Sequence, residues 1–198
     1  DEIKPAASPL VTLSQSKTGS GVALLADPEE ALQSRLHLAE LAQATLDLQY
    51  YLWQGDDSGL SLSHEVLAAG DRGVRVRMLM DDSFLQKKDP IVHAIDSHPN
   101  VEFKVYNPYT RRSGGSAMRI LLNLGDFSRV DHRMHNKILV VDNRAAIVGG
   151  RNLADEYYGH DSKMNFRDLE VLTGGEHVRI LSKAFDRYCF FNDTATTE

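Results

Sequence analysis

Two apolar runs set three residues apart, Ile138-Leu139-Val140-Val141 and Ala145-Ala146-Ile147-Val148, do most to restrict the fold of this 198-residue chain. Each is short and apolar throughout, the mark of a buried strand. Asp142-Asn143 between them is a turn signal, so the stretch reads as a β-hairpin. Alternate residues of a strand share a face, which places His135 and Lys137 side by side at the start of the first strand. Asp142 closes that strand. Gly149 and Gly150, after the second strand, permit close backbone approach, and Asn152 lies just beyond them. An imidazole, an ammonium and a carboxamide converging on a glycine-lined spot suit a phosphodiester. The imidazole can attack phosphorus while the other two hold its non-bridging oxygens.

The remaining chain supplies layers for that hairpin. Residues 1–20 are rich in Ser, Pro, Ala and Gly and read as a flexible leader. Val22 to Leu25 is a short strand. Asp27 then offers an N-cap, Pro28 a first helical residue, and Glu29 and Glu30 an acidic first turn. Ala31, Leu32, Leu36, Ala39, Leu41 and Ala42 carry that helix's apolar stripe. Thr45 to Trp53 alternates and is rich in aromatics, predicting a strand with one buried face. A helix over Leu60 to Ala69 and a strand over Val74 to Met80 follow, then a helix at Pro90 to Asp96 and a strand at Val101 to Tyr106. Strands alternating with helices at this interval predict a layered α/β/α fold on a mixed, largely parallel sheet. Asp81-Asp82, at a strand end, could suggest a metal site, but no other ligands accompany them, so solvated or helix-capping acids are expected. Arg111 and Arg112 lie in a turn-rich loop ahead of an apolar helix at Ala117 to Phe127. The two are read as a solvated loop and a core helix, with lipid contact as the alternative. A turn at Leu153 to Gly159, a strand at Phe166 to Leu172 and an amphipathic helix at Glu176 to Tyr188 complete the pattern.

Composition narrows the partners. A net charge of −6 gives no global reason to bind nucleic acid and weighs against a nuclease. Cys189 is the lone cysteine, so an intrachain disulfide is excluded. No apolar run approaches the ~20 residues that span a bilayer. The chain begins at Asp1, leaving room for a removed or missing N-terminal signal, and residues 189–198 lack any hydrophobic period and look non-native. Residues 21–188 then form one domain.

The segment from His135 to Asn152 resembles the signature of the phospholipase D superfamily, H-x-K-x4-D-x6-G-[GS]-x-N, and matches it in full. With LDLQYYLW, AAGDRGVRVRMLMDD, VDHRMHNK and GGRNLADEYYG, the chain is similar to the amino-terminal half of the bacterial cardiolipin-synthase-like branch, close to its C-type group. The resemblance implies that His135 attacks phosphorus or protonates the leaving group, and that Lys137 and Asn152 bind the phosphate beside Gly149 and Gly150. It implies that Asp168, rather than Glu170, orients the histidine, and that the signature aspartate, Asp142, acts structurally and electrostatically. His132 lacks a lysine two residues on and falls outside the set. No metal and no cofactor is implied, because Lys137, Asn152 and their counterparts supply the charge stabilisation. The implied activity is phosphatidyl transfer or phospholipase D hydrolysis through a phosphohistidine, with phosphatidylglycerol and phosphatidylethanolamine as phospholipid substrates. It implies a protein peripheral to the membrane surface of the bacterial cell envelope. Such sites take two signature motifs, so the second comes from another half of the same protein or a second copy of the chain. The rival readings are a homodimeric single-motif endonuclease and a catalytically silent phosphate- or membrane-binding domain.

Overall fold

The computed structural model describes residues 21–83, 90–109, 132–191 and 194–196. The expectations for Arg111, Arg112 and the Ala117–Phe127 helix lie outside these residues. In order, the elements are β1 (Val22–Leu25), α1 (Pro28–Leu41), β2 (Thr45–Tyr50), α2 (Asp57–Asp71), β3 (Arg75–Asp81), α3 (Pro90–Asp96) and β4 (Val101–Tyr106). There follow β5 (Lys137–Val141), β6 (Ala145–Gly149), a 3-10 turn at Asp155–Tyr157, β7 (Glu170–Gly174), α4 (Glu176–Cys189) and β8 (Thr194–Thr196).

The strands form one sheet in the order β1-β7-β6-β5-β2-β3-β4-β8. The layered α/β class and the mixed sheet are as expected, but the sheet is not largely parallel. Only β2–β3 and β3–β4 run parallel; the other five neighbouring pairs are antiparallel. The reason is the hairpin: β5 enters beside β2 in the opposite direction, and β6, β7 and β1 continue that alternation. Among the named strands, parallel pairing is confined to the two strand–helix–strand units, where a crossover reverses the chain. The final segment, set apart on sequence grounds, contributes β8 against β4.

Helix α1 starts as its residues dictate: the Asp27 carboxylate accepts the Glu30 N–H at 2.9 Å, and Pro28 opens the helix. Its buried stripe is Ala31, Leu32, Arg35, Leu38 and Ala39. With Leu62 and Val66 of α2 it packs on Leu46, Leu48, Leu139, Val141 and Ile147, the main core. Helix α4 covers the opposite face through Val178, Ser182, Phe185 and Cys189, spaced as one helical side. That cover corrects the expectation for β2, which buries both faces. Asp47 and Gln49, the polar residues alternating with its leucines, lie inside. Asp47 is paired through both carboxylate oxygens with Arg77, at 2.7 Å each, and Arg77 reaches on to Asp186 of α4 at 2.9 Å. Strand β2 also ends at Tyr50 rather than Trp53, and β7 begins at Glu170 rather than Phe166. Among the described residues, no helix is long and apolar enough to cross a membrane.

Candidate active site

The carboxyl ends of β2 and β3, the start of β5, the end of β6 and the start of β7 meet along one edge of the sheet. His135 lies there two residues before β5, exposed, with its imidazole stacked on Tyr51 at 4.2 Å between centroids and 26° between planes. Lys137 opens β5 and is buried; its ammonium donates to the His135 carbonyl and stands 5.6 Å from the Tyr51 ring centre. Burial lowers the Lys137 pKa, against the opposing pull of the Asp168 charge. Asn152 is held at both ends of its amide: Oδ1 accepts from Leu52 N at 3.2 Å, and Nδ2 donates to Tyr157 Oη at 2.9 Å.

The two signature glycines have a role that the sequence reading did not assign. They were read as letting the backbone approach phosphate. In the fold, the space beside each is already filled. A Cβ on Gly150 would stand 2.7 Å from Cγ of Asp168, and one on Gly149 would stand 2.8 Å from Cα of Glu170. The glycines thus make room for the protein's own acids, Asp168 for one and Glu170 for the other. Asp168 is half-buried, with Oδ1 accepting its neighbour Leu169 N–H at 2.7 Å.

Glu170 is engaged by two arginines. It is buried with Arg35 of α1 as an ion pair, and Arg151 approaches its other oxygen at 3.4 Å. Arg35 also donates to Tyr50 Oη at 3.1 Å and to the Ala31 carbonyl at 2.7 Å. Burial raises the pKa of both Tyr50 and Tyr158 in this cluster, keeping the phenols neutral. Of the two acids in the Asp168-Leu169-Glu170 triplet, Asp168 is the one whose charge acts on Lys137.

Asp142, the signature aspartate expected to act structurally and electrostatically, is not brought to this edge. It stands at the far end of β5 from Lys137, about 17 Å away at strand rise. Its carboxylate accepts three backbone N–H groups, from Gln43 at 3.0 Å and from Ala44 and Thr45 at 2.8 Å. It fastens the α1–β2 connection to the hairpin turn, where Asp142 and Asn143 have φ of 51° and 53°. The structural half of the expectation is what the geometry supports.

Asp81 and Asp82 are neither solvated nor capping a helix. Both are buried. Asp81 accepts Met134 N at 2.9 Å and Arg133 Nη1 at 3.4 Å, while Asp82 accepts Tyr109 N at 2.6 Å. Asn107 adds a donation to the His132 carbonyl at 2.7 Å, so the chain entering His135 is moored to the ends of β3 and β4. Among the described residues, no group of three or more His, Cys, Asp or Glu side chains is placed to hold a metal ion.

Sequence reasoning missed Tyr51, Arg35, Arg151 and Tyr157. Arg35 left a signal, a charged residue on the apolar stripe of α1. Arg151 left none beyond its place inside the signature.

Residues 36–188 match the family described as cardiolipin synthase, PLD-like domain. Cardiolipin synthase C of Escherichia coli is 44% identical over 161 residues, covering 81% of this chain and 33% of the relative. The chain thus spans about a third of that protein's length. Among solved structures, NucT from Helicobacter pylori superposes with a TM-score of 0.62 at 14% identity, covering 86% of this chain and 96% of that one. Nuc from Salmonella typhimurium, a phospholipase D family member, gives 0.61 at 14% identity, covering 91% and 99%. These two likenesses speak for the fold alone.

Proposed function

Because the chain belongs to the cardiolipin synthase, phospholipase D-like domain family, we propose that it carries half of the active site of a phosphatidyltransferase. The supporting observation is the meeting of exposed His135, Lys137, Asn152 and Asp168 along one sheet edge. In this reading a ring nitrogen of His135 forms a bond to phosphorus while the ester P–O bond breaks. The leaving alcohol takes its proton from a second histidine on the completing half. The same second histidine then removes a proton from the acceptor alcohol, whose oxygen displaces His135 from phosphorus. Lys137 and Asn152 hold the non-bridging oxygens, and Asp168 stabilises the imidazolium character of His135.

A phospholipid is the favoured donor, with phosphatidylglycerol or phosphatidylethanolamine as candidates and a lipid alcohol as acceptor. The 44% identity to a cardiolipin synthase supports this, as does the acidic balance of −6, which offers polyanionic nucleic acid little attraction. The protein would work at the membrane surface of the bacterial envelope, completed by a second motif in the same protein or in another copy of the chain.

The test is to trap the intermediate. A protein containing this domain and a second motif is mixed with labelled phosphatidylglycerol, quenched in alkali to preserve phosphoramidate, and mapped. Label on His135, or on its counterpart in the other half, is expected. Label confined to His132, or turnover of nucleic acid in preference to lipid, overturns the reading.

A further inference from the structure

We propose that Arg151, at the variable position of the signature between Gly150 and Asn152, is the positioning residue that sets the phosphate-holding and carboxylate arms of this site together. The inference rests on the phosphodiester reading above and assigns a residue that makes no contact with the reacting groups.

A guanidinium carries five N–H donors, and Arg151 has an acceptor for each. Nε donates to the Tyr157 carbonyl at 3.2 Å; Nη1 to the Leu25 carbonyl at 3.0 Å and Glu170 Oε2 at 3.4 Å; Nη2 to the Ala26 carbonyl at 2.9 Å and the Asp168 carbonyl at 2.7 Å. The acceptors come from three separate stretches: the exit of β1, the turn after β6, and the approach to β7. Two of them belong to residues that touch the site directly. Tyr157 is the hydroxyl partner of Asn152, and Asp168 presents its carboxylate over Gly150. Phe166, whose ring packs 5.0 Å from that of Tyr157, closes the same loop from outside. One side chain therefore fixes both the amide meant for phosphate and the carboxylate meant for the imidazole.

A purely structural role accounts poorly for a charge at this place. Arg151 is 1% exposed, and a buried ionic group commonly stabilises less than a well-packed apolar side chain of the same volume. The charge also has a direction. Arg35 and Arg151 set two cations against the single carboxylate of Glu170, leaving a net positive charge in this buried cluster beside Tyr158. A site for an anion benefits from such a charge, supplied by groups that never need to move.

Arg151→Lys tests the assignment, because an ammonium has only three donors and no planar fork. The chain is titrated with inorganic phosphate, following the His135 imidazole by NMR, and the Lys137 ammonium is titrated without ligand. Arg151→Lys should weaken phosphate binding about tenfold, the scale of a small misplacement of holding groups, and should shift the Lys137 titration. In an Asp168→Asn background it should shift the Lys137 titration by less than half as much. A lowered melting temperature with phosphate affinity and Lys137 titration unchanged would make Arg151 a structural residue only and overturn the proposal, as would an equal shift in the Asp168→Asn background. Should the variant fail to fold, the unmutated chain decides. Saturating phosphate should move the Arg151 Nε–H resonance, and a stationary signal overturns the proposal. If the unmutated chain binds no phosphate, the phosphodiester reading fails instead, and the ligand-free Lys137 titration still judges Arg151.

Discussion

Gly150 is the residue at which the signature tolerates a choice and at which any side chain in this fold requires the Asp168 carboxylate to move. Serine is allowed there by the motif, yet a side chain at this point meets the Asp168 carboxylate. Gly150→Ser should therefore displace Asp168 and lower kcat of the complete enzyme about a hundredfold or more, with a smaller change in KM. Wild-type kcat in that variant would mean that Asp168 has no part in the chemistry. Lys137 makes a second point at this scale. Burial lowers its pKa below the ordinary lysine value, so the folded chain gives up this proton more readily than the unfolded one. Its contribution to stability thus rises with pH from the depressed folded value up to about 10.4, the unfolded value. Anion binding runs the other way, because it needs the ammonium. Phosphate affinity should fall at a lower pH than for an ordinary lysine, and Lys137→Arg should carry it to higher pH. A phosphate titration repeated across the alkaline range checks both.

At the level of elements, the hairpin that the apolar runs announced is present, and its turn does more than reverse the chain. Asp142 at that turn receives three N–H groups from the start of β2, linking hairpin to sheet. Asp142→Ala should cost about 2–4 kcal/mol of stability, since several donors lose their acceptor together. It should leave the phosphate affinity of the folded fraction unchanged; a matched loss in affinity with no change in melting would instead give Asp142 an electrostatic part in the site. The helix starts, the hairpin and the α4 face were legible because capping residues, turn residues and apolar period are local properties. The second buried face of β2 was not. Asp47 and Gln49 alternate with leucines as solvent-facing residues do, and only the arrival of Arg77 and α4 shows that they lie inside. The same limit hid the antiparallel majority of the sheet. Strand direction follows from which strand β5 chooses as neighbour, and that choice is not written in β5.

For the molecule as a whole, the signature brought His135, Lys137 and Asn152 to one edge and told nothing of the buried cluster behind them. His135, Lys137 and Asn152 are close in sequence, whereas Arg35, Arg151 and Glu170 come together only when α1 lies across the sheet. A site with one histidine has no group for the leaving alcohol, so this chain alone should turn over phosphatidylglycerol weakly or not at all. Activity that rises with the square of protein concentration would mean that two copies complete one another. Full activity from a species shown to be monomeric would mean that one motif suffices. The glycine–carboxylate pairs carry a last consequence, for how the sheet assembles. Gly149 pairs with Glu170 across β6 and β7. Sliding β7 by one residue would exchange the faces of all its side chains, bringing Leu169 or Val171 over the glycines and turning Glu170 toward the layer under α4, away from Arg35 and Arg151. The same four residues that shape the site therefore act as a gauge of strand alignment, accepting one pairing and penalising its neighbours before any substrate arrives.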